Sequence, residues 1–339
     1  MSKSVQRALV IGDGGWGTTL AAMLVRRGVP TVLWSHDPRR SEELRRLGEN
    51  TRFLPGIKLP DSLQFSADPH SAAKGADLVV SAVPTQFLRS IAERFAEALP
   101  GDVGLISASK GLEIESLSPP SQILREVLGD RDVCILTGPS HAEEVARGLP
   151  ATVVAAASDK AFALRVQAAF TGEMFRVYTH TDPIGAELAG ALKNVIAIAA
   201  GISDGLGLGD NAKSALLTRG MIEMARYGVG RGGKFETFFG LAGIGDLVTT
   251  CCSKHSRNRS VGEAIGRGET LQAVLARMNM VAEGVWTTKA LFGPEAETEG
   301  ISMPIAEQVH AVLFEGKSPR EAVLDLMRRE PADEMKGLA

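Results

Sequence analysis

The segment that most constrains the fold lies at the start of the chain. Residues 8–11, ALVI, form an apolar run, and Gly12, Gly14 and Gly17 follow with the spacing G-x-G-x-x-G before a helix-forming stretch, TTLAAMLVRR. A strand that leads directly into such a turn and helix exposes backbone N–H groups that can bind a pyrophosphate. The alternative is an ordinary glycine turn before a helix. The strand, glycine and helix context favours a dinucleotide-binding unit.

Short β-branched runs alternate with helical stretches through the first half of the chain. This alternation predicts βαβ units in a parallel sheet of Rossmann type, with helices covering both faces. The predicted strands are 8–12, 31–35, 77–84, 103–109, 133–138 and 152–157. After about residue 180 the pattern becomes helical. The predicted helices are 183–202, 211–228, 257–267, 270–278, 283–297, 303–314 and 319–329.

A chain of 339 residues is longer than one typical core, and this change of pattern places the boundary. We predict a nucleotide-binding domain over 1–181, an all-helical domain for substrate binding and dimerisation over 182–332, and a flexible tail over 333–339. The first helix of the second domain, 183–202, is apolar on every side. It should therefore be the buried axis of that domain.

Composition narrows the range of partners and compartments. A formal net charge of -3 leaves no basic excess for a polyanion, so we expect no nucleic-acid partner. We also expect no membrane span, because Glu187, Lys193 and Asn194 interrupt the best apolar run. The chain has three cysteines, Cys134, Cys251 and Cys252. They cannot make a disulfide framework, and their spacing predicts no metal site, so we expect a cytoplasmic protein.

The tip of the second predicted strand bears on cofactor choice. An acid there usually binds the ribose 2′-hydroxyl of NAD. Here Ser35 and His36 come first, Asp37 lies slightly beyond, and Arg39 and Arg40 follow. The cationic character predicts that a 2′-phosphate is tolerated and allows a preference for NADP(H), although the two arginines could equally be a solvated helix start. The expected cofactor is NADP or NAD.

Polar residues also follow two later strands, at the edge where ligands of open α/β sheets bind. Lys110 closes the fourth strand, and Gly138, Ser140 and His141 close the fifth. Lys110 alone could be a surface lysine. Its place at a strand tip makes it a candidate ligand-binding residue.

Two charged residues lie in apolar segments of the second domain. Lys193 is the one ammonium in LAGALKNVIAIAAGI, and Asp246 lies within GLAGIGDLV. Buried charges are costly unless paired, so both are candidate functional groups. Ser256 is placed to cap a helix that begins with Arg257 and Asn258, which would suit a phosphate dianion. The alternative for this last stretch is an exposed basic turn.

Taken in order, several motifs resemble the bacterial NAD(P)-dependent glycerol-3-phosphate dehydrogenases over residues 8 to 315. The motifs are GDGGWGT, SAVP, SASKGLE, TGPSHAEEV, LKNVIAIAAGI, GLGLGDNAK, GLAGIGDLVTTC, SRNR and MVAEGVWTT. The resemblance implies a Rossmann domain followed by a helical domain, and a homodimer. It also implies reversible hydride transfer between NAD(P)H and dihydroxyacetone phosphate, giving sn-glycerol 3-phosphate for the glycerophospholipid backbone.

Carried over position by position, the resemblance makes Lys193 the proton donor and acceptor. The residues it places around glycerol 3-phosphate or dihydroxyacetone phosphate are Lys110, Gly138, Ser140, Lys193, Asp246, Ser256, Arg257 and Asn258. With the glycines of the first turn, it places around the cofactor Gly15, Trp16, His36, Lys110, Ala142, Arg257, Val281 and Glu283. One departure is Gly15, where many relatives carry serine.

The pKa of Lys193 is subject to opposing effects. Burial and the cations Lys110 and Arg257 should lower it, whereas Asp246 should oppose that shift and orient the amine. Asn194, adjacent in sequence, is expected to support the lysine by a hydrogen bond.

Three alternatives remain at this point. A β-hydroxyacid or 6-phosphogluconate-type dehydrogenase would place an asparagine one helical turn after the lysine, whereas Asn194 is adjacent to Lys193. A UDP-sugar dehydrogenase would need a nucleophilic cysteine. A catalytically silent NADP(H) sensor would have no reason to bury a lysine opposite an aspartate.

Overall fold

The computed structural model describes residues 4–278, 280–293, 296, 300–331 and 333–334. These residues form two compact units. The sheet unit comprises 4–109 and 120–183, and the helical unit comprises 110–119 and 184–334. The ten-residue segment 110–119 thus belongs with the helices, although the residues on both sides of it belong with the sheet. The tail predicted over 333–339 lies outside the described residues apart from its first two positions.

The sheet unit is built on eight strands in the order β3-β2-β1-β4-β5-β6-β7-β8. The strands are β1 (Ala8–Ile11), β2 (Thr31–Trp34), β3 (Gln64–Ser66), β4 (Leu78–Ser81), β5 (Gly104–Ser107), β6 (Val133–Thr137), β7 (Ala151–Ala156) and β8 (Phe175–His180). The order of the first six, 3-2-1-4-5-6, is that of a Rossmann sheet. The strands β1, β2, β4 and β6 are buried along their whole length, as expected where helices cover both faces of a sheet.

Seven helices connect these strands. They are α1 (Gly15–Arg26), α2 (Pro38–Leu47), α3 (Pro69–Ala73), α4 (Thr85–Glu93), α5 (Pro120–Leu128), α6 (Ala142–Ala146) and α7 (Lys160–Phe170). Three of them begin at an aspartate whose carboxylate accepts a backbone N–H of the first turn, which satisfies a donor that the helix itself cannot pair. Those caps are Asp37, Asp68 and Asp159.

The sheet is mainly parallel, as predicted, but its last two strands run against the other six. The strands β1 to β6 pair in parallel, but β7 runs antiparallel to β6 and parallel to β8. The connecting helix α6 has five residues, about 7.5 Å of rise, whereas a five-residue strand covers about 16 Å. This helix is therefore too short to return the chain to the start of β6.

Two strands were not predicted. β3 has only three residues, and β8 alternates between buried and exposed positions at the sheet edge. Neither is the continuous apolar run that identifies a central strand, so a search for such runs overlooks both.

The helical unit is arranged around α8 (Pro183–Leu206), most of whose 24 residues are buried, as predicted for its axis. The further α-helices are α9 (Gly209–Gly230), α10 (Asp246–Cys252), α11 (Arg257–Gly266), α12 (Leu271–Ala276), α13 (Glu283–Leu291), α14 (Pro304–Phe314) and α15 (Pro319–Met327). A 3₁₀ turn, Phe235–Phe239, and a π-helical turn, Leu241–Gly245, lead into α10. The sequence prediction contained neither turn nor α10, because glycines break the helical pattern there.

Two further details differ from prediction. The helix expected over 283–297 ends at Leu291, and part of its remainder lies outside the described residues. Helix α8 is long and apolar enough to cross a membrane by length and composition, despite its polar residues. However, 89% of its most apolar window is buried within the protein, as in the core helix of a globular fold.

Candidate active site

The glycine turn of the sheet unit has the geometry that its spacing predicts. Gly12 adopts a φ of +111°, and a Cβ atom there would lie 2.9 Å from the carbonyl oxygen of Ala82. A Cβ atom at Gly17 would lie 1.9 Å from the carbonyl oxygen of Gly12. Only glycine fits at either position. The turn therefore brings β1 and the start of α1 together as a dinucleotide fold requires.

The outer side of this turn is open. Apart from the residues adjacent to it in the chain, no described residue comes within 4 Å of the position that a Cβ of Gly14 would occupy. A Cβ of Gly15 would be 3.6 Å from the Cβ of Ala142, so the structure brings these two predicted cofactor-site residues together. Trp16 instead packs partly buried against the core, 6.5 Å between ring centroids from Phe175. The glycine turn thus fits a pyrophosphate on its open side.

Asp37, the acid at the tip of β2, takes part in a helix cap. Asp37 caps α2, its Oδ1 accepting the backbone N–H of Arg39 at 2.9 Å. That backbone hydrogen bond is the main reason why the pKa of Asp37 lies below its usual value. His36 is exposed, and 92% of the Arg39 side chain is accessible. This tip therefore presents a histidine and a guanidinium, while its carboxylate is used within the helix cap.

Gly138 and Ser140 follow β6, as predicted. The Ser140 hydroxyl donates to the Gly138 carbonyl oxygen at 2.9 Å, and the serine is partly exposed. Lys110, the other predicted strand-tip residue, belongs to the helical unit together with the nine residues that follow it.

In the helical unit, three predicted residues meet in one buried cluster. Lys193 Nζ donates to Asp246 Oδ1 at 2.6 Å, and Lys110 Nζ donates to Asp246 Oδ2 at 2.6 Å. Lys193 and Asp246 are 5% and 2% exposed, whereas 21% of the Lys110 side chain is accessible. One carboxylate thus joins two ammonium groups, which leaves a net positive charge in an apolar surrounding.

This cluster determines the pKa values of its members. Burial lowers the pKa of Lys193 to about 8, with Asp246 opposing the shift and Lys110 adding to it. Of the opposing effects expected from the sequence, burial is the largest, and the pKa of Lys193 is lowered. Lys110, not Arg257, is the cation that contributes most to this lowering. For Asp246, burial favours the protonated acid, but the two ammonium groups hold its pKa below the usual value.

Thr250 completes the cluster and was missed by the sequence reading. Its Oγ1 accepts a 2.6 Å hydrogen bond from Lys193 Nζ. Thr250 is buried and lies one turn after Asp246 on α10, so both side chains point to the same face. The i, i+4 spacing of Asp246 and Thr250 was the available signal, but it needed a helix that the sequence did not predict.

The start of α11 forms a second polar group. Ser256 caps this helix as predicted, its hydroxyl accepting the backbone N–H of Arg259 at 3.2 Å. Arg257 is exposed, and its Nη1 donates to the carbonyl oxygen of Val281 at 2.9 Å. The structure therefore brings together two predicted cofactor-site residues, Arg257 and Val281. Glu283, a third, begins α13 two residues later.

Asn194 and Asn258 connect three helices instead of supporting Lys193 directly. Asn258 Nδ2 donates to Asn194 Oδ1 at 2.9 Å, and Asn258 Oδ1 accepts the backbone N–H of Gly284 at 2.9 Å. Asn194 Nδ2 donates to the Gly190 carbonyl oxygen at 3.4 Å. These bonds tie α8, α11 and α13 together. The expected hydrogen bond from Asn194 to Lys193 is therefore replaced by a link between helices.

A Rossmann-ordered sheet with a glycine turn open to a pyrophosphate, and a helical unit with a buried lysine–aspartate pair, define a nicotinamide-dinucleotide dehydrogenase. The family models for the N-terminal and C-terminal parts of NAD-dependent glycerol-3-phosphate dehydrogenase match residues 7–163 and 182–324. The chain belongs to the NAD-dependent glycerol-3-phosphate dehydrogenase family.

Individual relatives agree with this assignment. The chain is 50% identical to the glycerol-3-phosphate dehydrogenase [NAD(P)+] of Chlorobium phaeobacteroides (strain BS1), covering 96% of this chain and 98% of that protein. It is 51% identical to the protein of the same name from Chlorobium limicola, with the same coverage. A solved glycerol-3-phosphate dehydrogenase from Coxiella burnetii superposes with a TM-score of 0.91 at 36% identity, covering 96% and 99% of the two chains.

The environment of Cys251 argues against this residue as the nucleophile of a UDP-sugar dehydrogenase. A nucleophilic cysteine needs its thiolate form. Burial raises the pKa of the Cys251 thiol to about 12, so the thiol stays protonated near neutral pH. Cys251 is thus a packing residue beside the cluster, not a nucleophile.

Proposed function

We propose that this protein is an NAD(P)-dependent sn-glycerol-3-phosphate dehydrogenase that interconverts dihydroxyacetone phosphate and sn-glycerol 3-phosphate. The observation that carries the proposal is Lys193, a buried ammonium held by Asp246 and Thr250 with a pKa near 8. The names of the relatives, at about half identity over nearly the whole chain, support the substrate. In this proposal the sheet unit binds the dinucleotide and the helical unit binds the substrate.

The chemistry assigned to Lys193 follows from charge. Reduction of a ketone builds negative charge on its oxygen, and a nearby ammonium stabilises that charge and delivers a proton. The nicotinamide, when bound, supplies or accepts the hydride. A pKa near 8 lets Lys193 donate a proton in one direction and accept one in the other near neutral pH.

The neighbours of Lys193 have supporting roles. Asp246 binds both ammonium groups, which fixes the position of Lys193 Nζ, and Thr250 accepts a second hydrogen bond from the same atom. We assign Lys110, which is partly accessible, and Arg257, which is exposed, to the substrate and its phosphate. A guanidinium suits a phosphate because it can donate two parallel hydrogen bonds.

The direct test is the rate of NAD(P)H oxidation that depends on dihydroxyacetone phosphate, compared between the wild type and Lys193→Ala. Loss of a positioned acid–base group lowers kcat by about 10²–10⁴-fold. Lys160→Ala, which removes an exposed lysine at the start of α7, is the matched control and should keep wild-type kcat. A Lys193→Ala enzyme with wild-type kcat, or no turnover by the wild type with either cofactor, would contradict the proposal.

The phosphate assignment has its own test. Arg257→Ala should raise the KM for dihydroxyacetone phosphate about tenfold or more, because it removes a charge-assisted contact to the phosphate. An unchanged KM would remove Arg257 from the phosphate site while leaving Lys193 in its role.

We further propose that the enzyme works as a cytoplasmic homodimer. Three free cysteines support a reducing compartment, and the dimer is the state that the family resemblance implies. Light scattering coupled to size exclusion should give twice the mass of one chain. A monomeric mass at micromolar concentration would refute the dimer.

A further inference from the structure

An acid stands inside the glycine turn of the sheet unit. Asp13 lies between Gly12 and Gly14, and only 7% of the residue is exposed. A carboxylate next to a pyrophosphate-binding turn repels the ligand unless a cation offsets it. In this chain the cation is Arg40 of α2, whose Nε lies 3.5 Å from Asp13 Oδ2.

Arg40 is held in place on several sides. Its Nη1 donates to Glu43 Oε2 at 2.5 Å, and its Nη2 donates to Asn50 Oδ1 at 3.0 Å. Its guanidinium lies 5.8 Å from the ring centroid of Phe53, and only 14% of its side chain is accessible. Arg40 is therefore already neutralised by two carboxylates, Asp13 and Glu43.

The same contacts connect Arg40 to the backbone of the turn. The amide of Asn50, a fully buried residue, donates to the carbonyl oxygen of Asp13 and to Thr18 Oγ1, each at 2.8 Å. Asn50 thus links the arginine to the first turn of α1. Asp13 and Arg40 form a built element of the dinucleotide site and not a chance surface pair.

The position of Arg40 relates this element to cofactor choice. An arginine near the end of the second strand is the usual partner of the 2′-phosphate of NADP. Arg40 lies in the first turn of the helix that follows β2, and its Nε is 3.5 Å from Asp13 Oδ2, within ion-pair distance of the glycine turn. The exposed His36 and Arg39 remain at the tip of β2.

We propose that Asp13 is a specificity-determining residue whose carboxylate offsets the charge of Arg40 and thereby weakens the preference of this enzyme for a 2′-phosphorylated dinucleotide. The inference rests on the proposed function, because it concerns the dinucleotide which that function requires. Removing the Asp13 charge leaves Arg40 paired with Glu43 but no longer offset by a second carboxylate, so its guanidinium attracts a 2′-phosphate more strongly, whereas NADH lacks that group and gains nothing.

The test is binding, measured by calorimetry with NADPH and NADH, and with adenosine 2′,5′-bisphosphate and 5′-AMP as fragments without a nicotinamide. Asp13→Asn should raise the affinity ratio of NADPH to NADH about tenfold, the effect of one added charge-assisted hydrogen bond. The fragment ratio should rise in parallel. Asp13→Ala serves as a second variant if Asp13→Asn does not fold.

Two further variants test whether Arg40 causes the rise in the affinity ratio of NADPH to NADH. The double variant Asp13→Asn/Arg40→Met should lose the gain, because the cation that binds the 2′-phosphate is absent. Glu42→Gln removes the same charge from α2, but Glu42 pairs with Arg45 rather than Arg40, so it should leave the ratio unchanged.

Three results would overturn the inference: an unchanged ratio in the folded Asp13 variants, a gain that persists without Arg40, or an equal gain in Glu42→Gln. Turnover with dihydroxyacetone phosphate separates this from the proposed function. A wild type that binds dinucleotide without turnover contradicts the function, while the binding ratios still decide the role of Asp13.

Discussion

Lys193 has a pKa of about 8, lowered mainly by burial, so the rate of this enzyme should change with pH near that value. Ketone reduction needs the ammonium form, so its kcat/KM should be constant below about pH 8 and fall about tenfold per unit above it. Alcohol oxidation needs the free amine and should fall below the same pH. Initial rates in both directions across this range would check the opposite signs.

Asp246 supplies a control on this assignment, because its charge raises the pKa of Lys193. In Asp246→Asn the inflection for reduction should therefore move to lower pH, together with a loss of rate. An inflection that stays in place in this variant would show that another group titrates.

The residues of this cluster show what the sequence could and could not predict. Lys193 and Asp246 were recognisable because a charge within an apolar segment needs a partner. Their direct contact and the role of Thr250 were not, since both depend on α10, whose start is hidden by glycines. The amide groups of Asn194 and Asn258 were assigned to lysine and substrate, but a sequence cannot show that they bond to each other 64 residues apart.

Glu223 is a buried acid on α9, and its carboxylate lies against the start of α14. Its two carboxylate oxygens accept the backbone N–H groups of Ile305 and Ala306 at 2.8 and 3.3 Å. Burial raises its pKa to about 7 even though these hydrogen bonds oppose the shift. Because the folded pKa exceeds the unfolded one, the protonated acid stabilises the fold at low pH. This stability is lost as pH rises from about 4.5 to about 7, by about 3 kcal/mol.

The measurement is urea unfolding of the wild type and Glu223→Gln at several pH values. The difference between their free energies of unfolding should change in favour of the variant as pH rises through this window. Asp210→Asn, which neutralises an exposed acid on α9, the helix that carries Glu223, should show no comparable trend. A pH-independent difference for Glu223→Gln would refute the raised pKa.

At the scale of elements, the crossing of α8 and α11 depends on glycine. A Cβ atom at Gly262 of α11 would lie 1.9 Å from the Ile198 carbonyl oxygen, and one at Gly201 of α8 would lie 2.0 Å from the Arg259 carbonyl oxygen. The two backbones are therefore nearly in contact. This close approach holds the start of α11, with Ser256 and Arg257, beside the helix that carries Lys193.

We expect Gly262→Ala to destabilise the protein by about 2 kcal/mol or more, because the added methyl group must separate the helices. Gly101→Ala is the matched control, since its Cβ would meet no described atom within 4 Å and its effect should be small. Denaturant unfolding of both variants would measure the difference. Equal stability of the two variants would contradict the tight crossing.

Helices, strands and turns were predicted correctly where a single sequence pattern, such as an apolar run or a glycine spacing, specifies them. The buried central strands and α8 follow from continuous apolar runs, and the glycine turn follows from its spacing. The antiparallel direction of β7 depends on a connection with a five-residue helix. That direction is a property of chain geometry, and hydrophobic patterns contain no information about it.

At the scale of the whole molecule, the net charge of the chain is negative, whereas the cluster around Lys193 is positive. The chain carries a formal net charge of -3, yet its proposed ligands are a phosphate ester and a dinucleotide, both anionic. Long-range attraction by the protein as a whole cannot favour them. In the proposed site local cations do so, and we assign this role in the helical unit to Lys110, Lys193 and Arg257, with Asp246 as the buried counterion.

Salt should therefore affect substrate binding more than chemistry. The Debye length falls from about 10 Å at 0.1 M salt to about 3 Å at 1 M, which screens the partly accessible Lys110 and the exposed Arg257 but affects the buried Lys193–Asp246 pair much less. Raising potassium chloride from about 0.05 to about 0.5 M should raise the KM for dihydroxyacetone phosphate about threefold or more and leave kcat nearly unchanged. In Arg257→Ala the dependence of KM on salt should be weaker, because one of the screened charges is gone. A salt effect confined to kcat would place the sensitive charges at the reacting oxygen instead of the phosphate.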